Sequence, residues 1–117
     1  MNQRMTEEDA RQKLEEYRLL VDDVDRRIVA MLNERTAVVE NIGRVKREAQ
    51  LPIYEPKRED QVFANISSAN HGPLTEGAVR RIFERIIDEM RTIQRLRMAS
   101  QPGEAVAPAR PPEGDRQ

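Results

Sequence analysis

The chain contains no cysteine and no tryptophan, and its 117 residues include only two Phe, two Tyr and one His. Disulfide bonds and thiolate chemistry are therefore excluded, because both need cysteine. A single histidine cannot build a zinc site, so His71, which precedes Gly72 and Pro73, is interpreted as a solvated loop residue. With so little aromatic material, we expect amphipathic helices that share a core with a partner subunit.

Long apolar runs and an excess of one charge sign are also missing. Apolar residues make up 38% of the chain, charged residues make up 35%, and the net charge is −1. Interleaved charges without a basic field argue against nucleic acid as a partner. No apolar stretch approaches the length that spans a membrane, and the first nine residues do not resemble a signal peptide. We therefore expect a cytoplasmic protein of one domain.

The first half of the chain carries a heptad pattern that is typical of a long helix. Its apolar positions are separated mostly by three or four residues, and they are Leu14, Tyr17, Val21, Val24, Ile28, Met31, Val38, Ile42, Val45 and Ala49. Thr6 and Asp9 resemble a capping box at the start, and no proline interrupts the pattern before Pro52. This pattern predicts one helix from about residue 7 to 49.

A helix of that length has a consequence for assembly. At 1.5 Å per residue it would be roughly 65 Å long. A compact domain of about 100 residues has a radius of gyration near 13 Å, so the helix overshoots any globule that the remaining chain could form. Its apolar seam must then be covered partly by another subunit. We expect an all-α fold with three helices per chain in an intertwined homodimer.

Two shorter helices are predicted after the proline-containing connector. Pro56 suits the first position of a second helix, from about 56 to 69. Thr75 can cap a third helix, from about 76 to 98, whose apolar residues recur at helical spacing. These elements give a domain over 7–98.

The end of the chain differs in composition. From Ser100 it contains four prolines and no large aliphatic side chain beyond Val106. Such a composition cannot bury enough apolar surface to fold, so it predicts a disordered tail over 100–117.

Arg35 breaks the apolar seam of the first helix. It occupies the heptad position that Leu14, Val21, Ile28 and Ile42 fill with apolar side chains. A guanidinium at such a position needs a partner anion. That anion could be a carboxylate in a buried ion pair that fixes the helix register, or it could be a bound ligand.

Two other cations help to decide whether Arg35 pairs with a carboxylate of the protein or with a bound ligand. Lys46 follows Arg35 by eleven residues, so it points the same way to within about 20°, at an axial distance of about 16 Å. Two long cationic side chains could converge on a small anion from opposite ends. Arg18 points about 100° away from that face and would suit the pocket of a partner subunit.

The second and third helices offer two polar candidates. Glu59 lies in the first turn of the second helix, where it could simply interact with the helix dipole. Gln94 directly follows the apolar position Ile93 on the third helix, and it could be an ordinary exposed amide.

Taken together, these residues resemble the all-helical (type II) chorismate mutases. The resemblance covers about residues 8 to 98, and its specificity lies in the order and spacing of the motifs. Those motifs are Arg18 seven residues before Asp25, Asn33-Glu34-Arg35, Gly43-Arg44-Val45-Lys46, Pro52-Ile53-Tyr54-Glu55-Pro56-Lys57-Arg58-Glu59, and Phe83-Glu84-Arg85-Ile86-Ile87 with Gln94.

The resemblance implies a substrate, chorismate, and a role for each matching residue. Arg35 and Lys46 would bind the dicarboxylate substrate within one subunit, while Arg18 would enter from the other subunit. The two arginines would hold the two carboxylates, and Lys46 and Gln94 would donate to the ether oxygen whose bond breaks. Glu59 would accept the ring hydroxyl. The catalytic group would thus be Lys46, Gln94 and Arg35, without metal or cofactor.

Three further positions belong to the expected substrate site. Arg58 and Glu55 correspond to residues that support or line the pocket, although many family members carry Asp where this chain has Glu55. Some members have a substrate-contacting Ser where this chain has Met90. Met90 could therefore contribute packing alone. The substrate contact that the Ser makes would then be missing or made by the backbone.

The expected reaction is the rearrangement of chorismate to prephenate in phenylalanine and tyrosine biosynthesis, by a monofunctional enzyme without an appended regulatory domain. Two alternatives remain open from the sequence. An isochorismate pyruvate-lyase on the same fold could share most of these residues, and a non-enzymatic helical dimerisation or regulatory module could use Arg35 and Lys46 only in ion pairs. A regulatory complex with another enzyme of the aromatic pathway is also possible.

Overall fold

The computed structural model describes residues 4–100, and their side chains as far as residue 97. Within this range the chain forms α1 (Glu7–Ala49), α2 (Pro56–Ala69) and α3 (Glu76–Ser100), without a β-strand. The all-α prediction with three helices is therefore confirmed. The helix α3 runs two residues beyond the predicted end at 98, because no helix-breaking residue occurs before Pro102. Beyond Ser100, the predicted tail lies outside the described residues.

The helices α1 and α3 begin with the caps that the sequence predicted. The Thr6 hydroxyl accepts the backbone N–H of Asp9 at 3.0 Å, and the Thr75 hydroxyl accepts that of Ala78 at 3.1 Å. Pro56 occupies the first turn of α2, where its missing N–H leaves no helical hydrogen bond unmade. These caps satisfy backbone donors that have no partner inside their own helices.

The end of α1 closes in a way that the sequence did not indicate. Gln50 has a φ of 60°, in the left-handed region that usually favours glycine. Around it, the Leu51 N–H donates to the Lys46 carbonyl at 2.8 Å, and the Gln50 N–H donates to the Arg47 carbonyl at 3.2 Å. This is the hydrogen-bond pattern of a Schellman motif. The turn reverses the chain immediately after Lys46 and delivers the connector back beside it.

Gln50→Gly is expected to raise the free energy of unfolding by about 0.5–1 kcal/mol. The left-handed conformation costs an L-residue roughly 1–2 kcal/mol, and glycine removes most of this while gaining entropy in the unfolded chain. Urea denaturation measures the difference. Gln50→Ala is the matched control, because it shortens the side chain but keeps the strain. If Gln50→Gly were less stable than Gln50→Ala, the strained turn would be refuted.

The chain divides into two compact units, residues 1–35 and 36–117, of which the structure describes 4–35 and 36–100. The first unit is the larger part of α1. Its seam residues remain between 41% and 62% exposed within the single chain, and they are Leu14, Tyr17, Val21, Val24, Ile28 and Met31. This unit therefore presents an uncovered apolar face.

The second unit contains residues 36–49 of α1 together with α2 and α3. Its buried apolar residues are Val79, Ile87 and Met90, all of them on α3. Arg97 on α3 donates through Nε and Nη2 to one oxygen of Glu40 on α1, at 3.1 and 2.9 Å. This ion pair holds α3 alongside the last turns of α1. Across residues 4–100, no helix is both long and apolar enough to cross a membrane.

Candidate active site

Lys46 is a buried cation in the last turn of α1. Its side chain is only 11% exposed. The Nζ atom donates to the Ile53 carbonyl at 2.9 Å and lies 2.8 Å from Glu55 Oε1. Both partners come from the connector that the turn at Gln50 brings back. Since an ammonium has three N–H donors, these two contacts fix its position and leave one donor for a ligand.

Gln94 is the second buried polar residue of this unit, with 7% of its surface exposed. Its Nε2 donates to the Val39 carbonyl at 3.2 Å. A carbonyl oxygen only accepts, so this contact orients the amide with its NH₂ group toward α1. One of the two N–H donors of Gln94 is used there, and the other remains for a ligand.

Gly43 packs against that amide. A methyl group on Gly43 would lie 3.4 Å from Gln94 Cγ and 3.7 Å from Nε2. Lys46 follows Gly43 by three residues on α1 and so shares its face of the helix. The close approach of α3 at Gly43 thus places an amide and an ammonium on the same side of α1.

Glu59 extends this group of polar side chains from α2. Its Oε2 accepts Nη1 of Arg91, on α3, at 2.6 Å, and the two side chains are 24% and 26% exposed. The Arg91 guanidinium carbon lies 5.4 Å from the centre of the Tyr54 ring. Among the residues that the structure describes, no second donor reaches Glu59. Its other oxygen, Oε1, is available to a ligand hydroxyl.

Contacts connect these groups into one arrangement within the second unit. The connector touches Lys46 on both sides of Tyr54, and Tyr54 faces Arg91. Arg91 pairs with Glu59 and precedes Gln94 by three residues on α3. An ammonium, an amide and a carboxylate from three helices are therefore linked through a chain of contacts. Such a set can bind a polar molecule through two donors and one acceptor.

The remaining predicted site residues differ in their surroundings. Met90 is buried, and its sulfur accepts a long contact of 3.6 Å from the Thr36 hydroxyl. Arg58 is exposed and donates to Gln61 of its own helix at 3.3 Å. Arg18 is an exposed residue of the first unit, which also contains Arg35.

Two residues of the arrangement were not predicted to have their own roles. Gly43 had a sequence signal, since a glycine inside a helix costs about 1 kcal/mol relative to alanine and so calls for a packing reason. Arg91 had no such signal in the sequence, because its partner Glu59 is 32 residues away and on another helix. In the described part of the chain, no cluster of acidic residues and histidine could hold a metal ion.

Comparison with known proteins decides the family. A family model for chorismate mutase type II matches residues 17–95. The chain belongs to this family. The inferred resemblance to this family is thereby confirmed, and the matched segment contains Lys46, Glu59 and Gln94.

Relatives and solved structures agree with this assignment. A chorismate mutase structure from Thermus thermophilus (Form II) has a TM-score of 0.69 and 34% identity, covering 71% of this chain and 94% of that one. The chorismate mutase of Methanocaldococcus jannaschii is 25% identical, over 72% of this chain and 86% of its own length. The bifunctional chorismate mutase/prephenate dehydratase of Aquifex aeolicus is 32% identical over 72% of this chain. This chain spans only 24% of that bifunctional relative.

Proposed function

We propose that this protein is a chorismate mutase, an isomerase that converts chorismate to prephenate in phenylalanine and tyrosine biosynthesis. The observation that carries the proposal is the pair of buried donors, Lys46 and Gln94. Each is held by a backbone carbonyl, and each retains an N–H donor beyond that contact. Membership of the chorismate mutase family supports the same activity.

The proposed reaction is a pericyclic rearrangement of the substrate alone. The ether C–O bond breaks while a new C–C bond forms, so no nucleophile, proton transfer or cofactor is required. Negative charge develops on the ether oxygen as that bond lengthens. Lys46 and Gln94 meet this charge as preorganised donors, and because both are buried, their hydrogen bonds act in a low dielectric.

The other residues bind and orient the substrate. Arg18 and Arg35 hold the two carboxylates, a task that suits planar guanidinium groups. This clamp selects the compact conformer in which the reacting carbons approach each other. Glu59 accepts the ring hydroxyl through Oε1. Arg58 and Glu55 support the pocket, Glu55 through its contact with Lys46, and Met90 lines it by packing.

The active form is proposed to be an intertwined homodimer with two pockets, each completed by Arg18 of the partner subunit. The apolar seam of residues 4–35 supports this assembly. Six large seam side chains are at least 41% exposed in the single chain, and burying them stabilises a dimer by about 25 cal/mol per Å² of apolar surface.

Mixing two inactive variants should restore activity if the pockets are shared. Arg18→Ala and Arg35→Ala should each lose at least about tenfold in kcat/KM, because each removes a carboxylate contact. In the heterodimer, one pocket carries both lesions and the other carries neither. Co-refolded samples should therefore regain activity, up to a quarter of the wild-type value for random pairing of equal amounts. No gain in a sample with proven heterodimer would refute the contribution of Arg18 to the partner's pocket.

The product identifies the reaction. Purified protein is incubated separately with chorismate and with isochorismate, and prephenate and pyruvate are measured. We expect prephenate from chorismate and no enzymatic release of pyruvate from isochorismate. Pyruvate release with no prephenate would instead identify an isochorismate pyruvate-lyase, and turnover of neither compound would identify a non-enzymatic helical module.

An association with another enzyme of the aromatic pathway also belongs to this proposal. Its support is the bifunctional relatives, whose names join chorismate mutase with prephenate dehydratase. We further propose a cytoplasmic location, where such an association would take place.

A further inference from the structure

Arg91 makes a contact that differs from most of the chain's other described ion pairs. Arg11, Arg27 and Arg80 pair with acids four residues away on their own helices, and their side chains are more than half exposed. Arg91 instead reaches from α3 to Glu59 on α2, at 2.6 Å, and both side chains are about three-quarters buried. A pair of this kind fixes the position of one particular carboxylate rather than adding to surface charge.

The guanidinium is itself held from several sides. Its Nη2 lies 3.6 Å from Asp88 on the preceding turn of α3. Its Cζ lies 5.4 Å from the centre of the Tyr54 ring, within the range of a cation–π contact. Because a guanidinium is planar and rigid, these contacts define the direction in which Nη1 points. Arg91 is therefore a preorganised support for Glu59.

We propose that Arg91 is a positioning residue that fixes the Glu59 carboxylate for the ring hydroxyl of the substrate. Arg91 donates to Oε2 of Glu59. This leaves Oε1 as the oxygen that accepts a hydrogen bond from the hydroxyl. The pair keeps the carboxylate in one rotamer before the substrate arrives, so none of this ordering has to accompany binding. The inference rests on the proposed function, because it assigns the acceptor for a hydroxyl of the chorismate ring.

A double-mutant cycle with Glu59 tests whether Arg91 acts through that residue. The proteins are wild type, Glu59→Gln, Arg91→Met and the double variant, and the quantity is kcat/KM for chorismate. Arg91→Met should reduce it by about tenfold, while in the Glu59→Gln background the same change should alter it by less than about twofold. Equal reductions in both backgrounds would overturn the proposal, as would full activity of Arg91→Met.

A modified substrate gives a readout that a general structural role would not change. In a chorismate analogue with hydrogen in place of the ring hydroxyl, no hydroxyl can donate a hydrogen bond to Glu59. Wild type and Arg91→Met should therefore process this analogue at rates within about twofold of each other, although they differ by about tenfold on chorismate. A tenfold difference on the analogue as well would show that Arg91 acts elsewhere.

Control variants separate this role from folding and surface charge. Arg85 is the matched control, since it also lies on α3 and also pairs with Asp88, but it is exposed. Arg85→Met should keep wild-type activity. Arg91→Lys retains a cation that can reach Glu59, so it should keep more activity than Arg91→Met. If Arg91→Met does not fold, Arg91→Gln takes its place in the cycle.

The outcomes also distinguish this inference from the proposed function. If wild-type protein does not convert chorismate, both are rejected. If wild type is active but the effects of the Glu59 and Arg91 changes simply multiply, the inference alone is rejected and the proposed function stands.

Discussion

Gln94→Glu is expected to lose about 10²–10³-fold in kcat/KM at pH 7.5 and to recover as the pH falls toward 5. Gln94 is buried, and its amide N–H groups donate at any ordinary pH. A glutamate at this position donates only when its carboxyl group is protonated. When ionised, it would face both the Val39 carbonyl oxygen and the developing charge on the ether oxygen, and both contacts would be repulsive.

The pH midpoint of this recovery depends on opposing effects. Burial, the Val39 carbonyl and the negative charge of the substrate favour the protonated carboxyl group, whereas nearby Lys46 favours the ionised one. The direction is nevertheless fixed, since only the protonated form donates. The measurement is kcat/KM against pH for wild type, Gln94→Glu and Gln94→Ala. Gln94→Ala is the control, and its kcat/KM should be low at every pH. A Gln94→Glu profile identical to that of wild type would show that residue 94 does not contact the reacting oxygen.

Lys46→Met is expected to lose about 3–4 kcal/mol in transition-state stabilisation, or 10²–10³-fold in kcat. Methionine keeps an unbranched chain of similar length in the buried space. It removes the positive charge and all three donors, so the ether oxygen loses its charged partner. Because the ground-state ether oxygen carries little charge, kcat should fall more than KM rises.

A neighbouring lysine provides the control for this experiment. Lys57 lies in the first turn of α2 and is exposed, so Lys57→Met removes the same charge without changing the site. Its kcat should stay within about twofold of the wild-type value. Thermal unfolding of both variants would separate catalysis from stability. If Lys46→Met folded normally and retained most of its kcat, Lys46 would be only a partner for Glu55 and the Ile53 carbonyl.

The helices could be predicted from the sequence because their signals are local. The heptad spacing, the caps at Thr6 and Thr75, and Pro56 each act within a few residues of the backbone that they determine. The ends of α1 and α2 agree with the prediction, and α3 differs by two residues. The turn at Gln50 escaped prediction, since a left-handed residue at a helix end is usually glycine.

The contacts that hold the site residues could not be read in the same way. Lys46 and Gln94 are each oriented by a backbone carbonyl, those of Ile53 and Val39. Every residue has a backbone carbonyl, so the sequence does not indicate which carbonyl will accept a hydrogen bond from Lys46 or Gln94. The pairing of Glu59 with Arg91 is equally invisible, since it depends on how α2 and α3 pack. The sequence therefore predicted the groups that are proposed to act on a substrate, but not the groups that position them.

Conversion of chorismate by the purified protein is the most direct test of the proposed function. Loss of the ultraviolet absorbance of chorismate gives the rate, and prephenate is identified as the product. The control is the double variant Lys46→Met/Gln94→Ala, which lacks both donors for the ether oxygen. Wild type should accelerate the reaction by at least about 10⁶-fold over the uncatalysed rate, and the double variant should lose most of this acceleration. A wild-type rate no faster than that of the double variant would contradict the proposed function.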